Sequence, residues 1–298
     1  MGNNFKRIVF PTDFTATAAG ALKTACGLAS RYSAELHIVS VVDASVYAYS
    51  GYPYVDLGAE LAQQAARNMQ RLKLPPEAKG VKVVPAVLQG GVGSEIARYA
   101  DKQNADVVVM ASHARGKVAR FFLGSVADRL LHEANCPVML LREPKGKIKH
   151  PTKNKGYKRI LVPTDFSETS DLGLGRALAF AEDFKAEVHV LHVVDTRELH
   201  LTLAARKRTA INDMKARTRK TLDELASWAK KGVKVVTAVD AGDPAKQIAM
   251  YAAKKVCDLV VMGSRGRGEV GRLILGSTAD SVLRTVHAPV FIERIRSK

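Results

Sequence analysis

The chain is poor in cysteine, poor in aromatics and free of long apolar runs, and each shortage removes a class of protein. Three cysteines occur in 298 residues, Cys26, Cys136 and Cys257. None belongs to a CxxC pair and an odd number leaves one unpaired, so buried, reduced thiols are expected rather than a disulfide framework. No apolar stretch approaches the ~20 residues that span a bilayer. The first residues, Met1-Gly2-Asn3-Asn4-Phe5-Lys6, carry no apolar signal region and no Ser or Thr at position 6 for a myristoylation motif. A cytoplasmic protein without a membrane span is the expectation. Chemical motifs are scarce as well. There is no GxxxxGK[ST] loop, no Ser/His/Asp or Cys/His constellation and no pair of carboxylates at a glycine loop. An enzyme is therefore the least favoured class, with slow ATP hydrolysis as its upper bound. His37 and His189 sit in apolar runs without companions at metal-ligand spacing and read as core histidines.

Positive charge is what the chain has in excess. The net charge is +17. Residues 1–146 hold 17 basic and 12 acidic residues (+5), and residues 147–298 hold 29 and 17 (+12). Such an excess attracts polyanions. Much of it lies in the segment around residue 150 and in Arg206-Lys207-Arg208, Lys215, Arg217, Arg219 and Lys220, which read as a solvated helix face. Zinc-finger spacing and an aromatic RNP strand are both missing, so nucleic acid is not the expected partner.

The chain is a duplication. Arg7-Ile8-Val9-Phe10-Pro11-Thr12-Asp13-Phe14 returns as Arg159-Ile160-Leu161-Val162-Pro163-Thr164-Asp165-Phe166, an offset of 152. The same offset relates Val41-Val42-Asp43 to Val193-Val194-Asp195, Asp106 to Asp258 and Gly124-Ser125 to Gly276-Ser277. It is too long for a solenoid repeat of ~20–50 residues. The expected organisation is a domain over 1–143, a basic linker over 144–156 rich in lysine, proline and glycine, and a second domain over 157–298.

Within the first half, nearly continuous apolar runs at 7–11, 35–42, 81–87, 105–111 and 137–142 suit parallel strands buried on both faces. Ala21, Leu22, Ala25, Leu28, Ala29 and Tyr32 mark one face of an intervening helix, as Leu174, Ala177, Leu178, Ala181 and Phe184 do in the second half. Alternating strands and helices predict an α/β protein of two tandem Rossmann-like domains, each a five-stranded parallel sheet with helices on both faces.

In such a sheet, ligands bind outside the carboxyl ends of the strands, where the strand order reverses. With the order 3-2-1-4-5, the first and fourth strands flank that point. In the second half these end in Pro163-Thr164-Asp165 and in Gly263-Ser264-Arg265-Gly266. Gly263 and Gly266 would let the backbone approach a phosphate chain, and Gly276, Ser277 and Thr278 would close on it at a helix N-terminus. Arg265, Arg267 or Arg272 would neutralise its charge. Asp165, acceptor-only when ionised, suits a ribose hydroxyl or a base amine, with capping of the next helix the structural alternative. The main chain at Val193 would meet the base edge. Gly266 to Gly271 matches a dinucleotide fingerprint by letter, but follows the fourth strand and lacks the acid ~20 residues further on.

The frame G-x2-G-x9-G-[ST], together with an early strand ending in Pro-Thr-Asp, resembles the universal stress protein family in its tandem form. The likeness covers nearly the whole chain in two copies. It implies a stress-response protein with that five-stranded fold, often ATP-binding and commonly dimeric, the two halves here forming the dimer internally and a homodimer remaining open. By the resemblance, Gly263, Gly266, Gly276 and Ser277 take phosphate, and Asp165 and Val193 take adenosine. The first half keeps Asp13, Val41, Gly124 and Ser125 but carries Ala111 and Ala114 for the two leading glycines. Added methyls and a penalty on left-handed backbone predict an affinity there more than tenfold weaker. The expectation is a regulator binding ATP, with Mg²⁺ carried on the phosphates, mainly through the second half. A nucleotide-independent scaffold using the basic face or the internal domain pair is the alternative, with a protein partner unnamed in either case. Tyr47, Tyr49, Tyr52, Tyr54 and His113 fall in loops beside the first crevice, the tyrosines reading as surface packing.

Overall fold

The structure, a computed structural model, describes residues 5–43, 57–112, 123–141, 156–197, 204–264 and 275–295. These fall into two compact units, the first ending at residue 141 and the second starting at Gly156. The tyrosines at 47–54, His113, the arginines at 265, 267 and 272, Gly266, Ala114 and most of the basic linker lie outside the described residues.

The first unit runs β1 (Arg7–Pro11), α1 (Ala16–Tyr32), β2 (Glu35–Val42), α2 (Leu57–Arg71), β3 (Val83–Gln89), α3 (Val92–Lys102), β4 (Val107–Ala111), α4 (Ser125–Glu133) and β5 (Val138–Leu141). The second runs β6 (Arg159–Thr164), α5 (Glu168–Phe184), β7 (Glu187–Asp195), α6 (Ala204–Ala226), β8 (Val235–Gly242), α7 (Pro244–Lys254), β9 (Leu259–Gly263), α8 (Ser277–Thr285) and β10 (Val290–Glu293). Within the first unit the strand order is β3-β2-β1-β4-β5, and within the second β8-β7-β6-β9-β10, the same permutation. Every described pairing is parallel.

The strands with uninterrupted aliphatic runs are the buried ones. All five residues of β4 and of β9 are buried. Phe10, Phe180 and Phe291 are at most 1% exposed, and full burial of such a side chain contributes about 1.5–3 kcal/mol. In the second unit Tyr157, Phe180 and Phe184 form an edge-to-face and stacked group that ties the start of the unit to α5. The predicted helix face is buried except for its final aromatics, since Tyr32 and Phe184 are half-exposed.

Strand β4 starts at Val107, not at Ala105, for an identifiable reason. Asp106 Oδ2 accepts the main-chain N–H groups of Lys6 and Arg7, at 2.6 and 2.9 Å. Asp258 does the same for Lys158 and Arg159. These repeated acids anchor the start of the first strand of each sheet.

The cysteines are free and buried, as expected. Burial first, and the Glu77 carboxylate second, push the Cys26 thiol up to about 12. The core histidines are held by one nitrogen. Nδ1 of His37 and of His189 lies 2.9 Å from Tyr99 Oη and Tyr251 Oη. Nε2 of His189 is 3.0 Å from Glu187 Oε1, close enough for Coulomb attraction but not aligned as a hydrogen bond.

Candidate functional site

The first and fourth strands of each sheet pair briefly and then part. β6 and β9 are in register at Ile160–Leu259 and Leu161–Val260, yet β6 continues to Thr164 and β9 to Gly263. β1 and β4 likewise pair at Ile8–Val107 and Val9–Val108. The carboxyl ends therefore open a crevice where the strand order reverses.

One lip is Pro163-Thr164-Asp165. Thr164 is buried, and its Oγ1 accepts the N–H of Phe166 at 3.0 Å. Asp165 Oδ1 accepts both the N–H and the hydroxyl of Ser167, at 3.1 and 2.6 Å. Ser167 is the residue that caps α5, its side chain accepting from Ser170 N. Asp165 is thus not the cap itself; it orients the cap. Asp13 makes the same contacts to Thr15 at the same distances. Phe14 and Phe166 both sit at φ 61°, a left-handed conformation that bulky residues rarely adopt.

Among the described residues two polar groups join this lip in the second half only, and sequence reasoning passed over both. His192, in β7, reaches Thr164 O with Nδ1 at 2.8 Å and stacks on Phe166 with centroids 4.7 Å apart. Asp171, in the first turn of α5, has a carboxyl pushed upward by burial and then by the charge of Asp165. The signal was present as a difference at the 152-residue offset, where Ser40 and Ala19 stand instead. Val193 follows His192 and registers with Asp240 of β8, as Val41 registers with Leu88 of β3. Beyond it Arg197 is clamped between Asp195 and Asp243, with N–O distances of 2.6 and 3.3 Å.

The other lip is the end of β9 and the start of α8. Gly263 has a packing reason to be glycine. A Cβ there would lie 2.7 Å from the carbonyl carbon and oxygen of Thr169. Gly173 faces it, its own Cβ position 3.4 Å from Gly263 N. In the first half both positions are alanine, Ala21 and Ala111. Gly263 also lies in extended strand backbone rather than in the left-handed region. The expectation that alanine at 111 is penalised by left-handed backbone is corrected accordingly: the paired glycines set how closely α5 approaches β9.

Gly276 N donates to Ser264 O at 2.8 Å, and Ser264 N to Glu293 O at 3.0 Å. The loop that starts after Ser264 is therefore tied at its base, with the N-terminus of α8 beside the end of β9. Gly276 is the N-cap of α8, at φ −63° and ψ 146°, and has no side chain to satisfy the first-turn N–H groups. Gly124 caps α4 with φ −64° and ψ 147°. Since the N–H of Gly276 is engaged, the donors left for an anion at this helix start are the N–H groups of Ser277, Thr278 and Ala279 and the hydroxyls of Ser277 and Thr278. Arg176 and Glu293 form a 2.7 Å ion pair that fastens α5 to the end of β10.

Among the described residues no group of three His, Cys, Asp or Glu side chains is arranged to hold a metal ion. None of their helices is long and apolar enough to cross a membrane.

Two doubly wound α/β domains in tandem, each opening a crevice at its strand switch point, define a tandem Rossmann-like protein. The family model of the universal stress proteins matches residues 4–142 and again 156–294, and the chain belongs to that family. It is 30% identical over 271 residues to a universal stress protein of Mycobacterium tuberculosis, covering 87% of each chain. It is 34% identical over 152 residues to one from Methanocaldococcus jannaschii, covering 48% of this chain and 85% of that one. The crystal structure of a universal stress protein from Archaeoglobus fulgidus shares the fold, with a TM-score of 0.65 at 23% identity over 98% of this chain and 97% of its own.

Proposed function

We propose that this universal stress protein is a regulator that binds an adenine nucleotide, ATP carried with Mg²⁺, through the crevice of its second half. The observation that carries the reading is the parting of β6 and β9, with an acceptor on one lip and anion donors on the other. Asp165, held by Ser167, stands where a sugar or base would donate. A glycine-capped helix, tied to Ser264, offers main-chain N–H groups and the Ser277 hydroxyl where phosphates would accept. Those two chemistries match the two ends of a nucleotide. Mg²⁺ would arrive on the phosphates, since such ions keep most of their water and borrow few protein ligands.

Calorimetric titration of the full chain with Mg-ATP tests this. One site per chain is expected, weakened at least tenfold by Asp165→Asn or Ser277→Ala and little changed by Asp13→Asn or Ser125→Ala. Gly263→Ala is a poor probe, because its methyl meets the Thr169 backbone whether or not a phosphate binds. Two equivalent sites would overturn the asymmetry. No binding up to millimolar ATP would overturn the nucleotide reading and leave the scaffold.

A further inference from the structure

The inference rests on the nucleotide reading of the second-half crevice and deepens it at the nucleoside end. His192 is the register partner of Thr164, the last residue of β6. A carbonyl oxygen only accepts, so the 2.8 Å contact between His192 Nδ1 and Thr164 O requires the proton on Nδ1. The same ring lies 4.7 Å from that of Phe166 at an interplanar angle of 30°. Phe166 is held at φ 61°, its N–H bound to Thr164 Oγ1. One imidazole therefore fixes both chain neighbours of Asp165, the carbonyl before it and the ring after it.

The first half provides the comparison inside the same molecule. Phe14 has the same φ of 61° and the same bond to Thr12 Oγ1, and Asp13 holds Thr15 as Asp165 holds Ser167. The imidazole is missing, since Ser40, which follows the register partner of Pro11, stands at the position of His192, and Ala19 stands at that of Asp171. Asp13 is exposed whereas Asp165 is half-buried. The turn thus forms without the histidine, whose two contacts fall on the residues either side of Asp165.

We propose that His192 is the positioning residue of the nucleoside subsite, holding Asp165 to accept a hydrogen bond from a ribose hydroxyl. Restraint of this kind improves binding by removing freedom that would otherwise be lost when the ligand docks. It predicts that the protein's discrimination between ribose and deoxyribose runs through His192. Three substitutions separate its contacts: His192→Asn keeps a side-chain N–H for Thr164 O, His192→Phe keeps the ring on Phe166, and His192→Ser, the first-half residue, removes both.

The experiment measures the affinities of the full chain and its variants for ATP, 2′-deoxy-ATP and 3′-deoxy-ATP, with thermal unfolding as the check on folding. The wild type is expected to prefer ATP over one deoxy analogue by about tenfold, the loss expected when a paired polar group is orphaned. His192→Ser should bring that ratio close to one while leaving deoxy-ATP affinity within about twofold, a non-additive cycle that direct coupling requires. Asn and Phe should fall between, and they carry the comparison should the serine variant fail to fold. An unchanged ratio in the variants overturns the inference alone. So does a wild type that binds ATP with no ribose preference. A wild type that binds no ATP overturns the nucleotide reading and this inference with it.

Discussion

The two halves share a skeleton and differ in polar groups at one end of the sheet. Strand order, the parting of the first and fourth strands, the left-handed Phe14 and Phe166 and the glycine-capped helices coincide to within a few degrees or tenths of an ångström. At the amino ends the pairs Asp106/Asp258, His37/His189 and Tyr99/Tyr251 repeat the same contacts. At the carboxyl ends the second half alone carries His192 on Phe166, Asp171 beside Asp165, Arg197 between two carboxylates and Arg176 on Glu293. Their first-half counterparts are Ser40, Ala19, Ser45 and Thr24. The contacts that anchor the strands are shared, and these four unshared ones lie at the carboxyl end of the second sheet. A carboxyl-end asymmetry of this kind is expected when one copy keeps a binding task and the other does not.

Breaking the Arg176–Glu293 pair should have the largest effect on stability. The Glu293 side chain is 8% exposed and that of Arg176 23%, so Arg176→Ala strands a buried carboxylate. A loss of about 2–4 kcal/mol is expected by chemical denaturation of the full chain. Thr24→Ala, at the matching position, should cost about 1 kcal/mol. Equal losses at the two sites would show that the ion pair contributes no more than the contacts of the threonine at the matching position.

The glycine–alanine exchange comes next. Gly263→Ala should cost about 1–3 kcal/mol, because the new methyl overlaps the Thr169 backbone and α5 must move. The reverse change, Ala111→Gly, should cost about 0.5–1 kcal/mol through chain entropy alone. A neutral Gly263→Ala would return that glycine to a purely ligand-binding role.

Much of this comparison was legible in the chain itself, and the gaps have physical causes. The duplication, the sheet class and the switch-point segments follow from apolar runs and one constant offset, because burial on both faces leaves strands little choice of residue. Strand ends were less legible. β3 runs over Val83–Gln89 rather than 81–87, an edge strand with mixed exposure whose apolar pattern does not mark its bounds. At the site, the spacing marks Gly263 as a phosphate glycine, whereas the structure shows a packing reason for it; a close helix–strand approach leaves the same letter as a close ligand approach. His192 was visible only as a difference between copies. A motif names the residues a loop needs, whereas a histidine that braces a neighbouring carbonyl belongs to no spacing rule.

The smallest prediction concerns what the halves have in common. Burial, partly opposed by Glu35 and Glu187, holds the pKa of His37 and of His189 below its ordinary value of 6.5. The charged and titratable groups around His37 are Glu35 on its own strand, Tyr99 of α3, Arg7 of β1 and Lys82 before β3. Around His189 they are Glu187, Tyr251 of α7, Arg159 of β6 and Lys255. The unfolded chain then binds these protons at a higher pH than the folded chain does. Stability from the neutral histidines is full above about 6.5 and falls as the pH drops from there toward their folded pKa values. Below the ordinary 4.5 of a glutamate, a second loss in the same direction follows as Glu35 and Glu187, both held low chiefly by their lysine partners, become protonated. Unfolding midpoints measured between pH 8 and pH 5 should decline, and His37→Gln and His189→Gln should each remove a similar share of that slope. Cys257, near Tyr251, stays neutral throughout, its thiol pushed up to about 12 by burial first, and so does not unbalance the pair. Unequal shares would mean that the asymmetry between the halves extends to this histidine pair at the amino ends of the sheets.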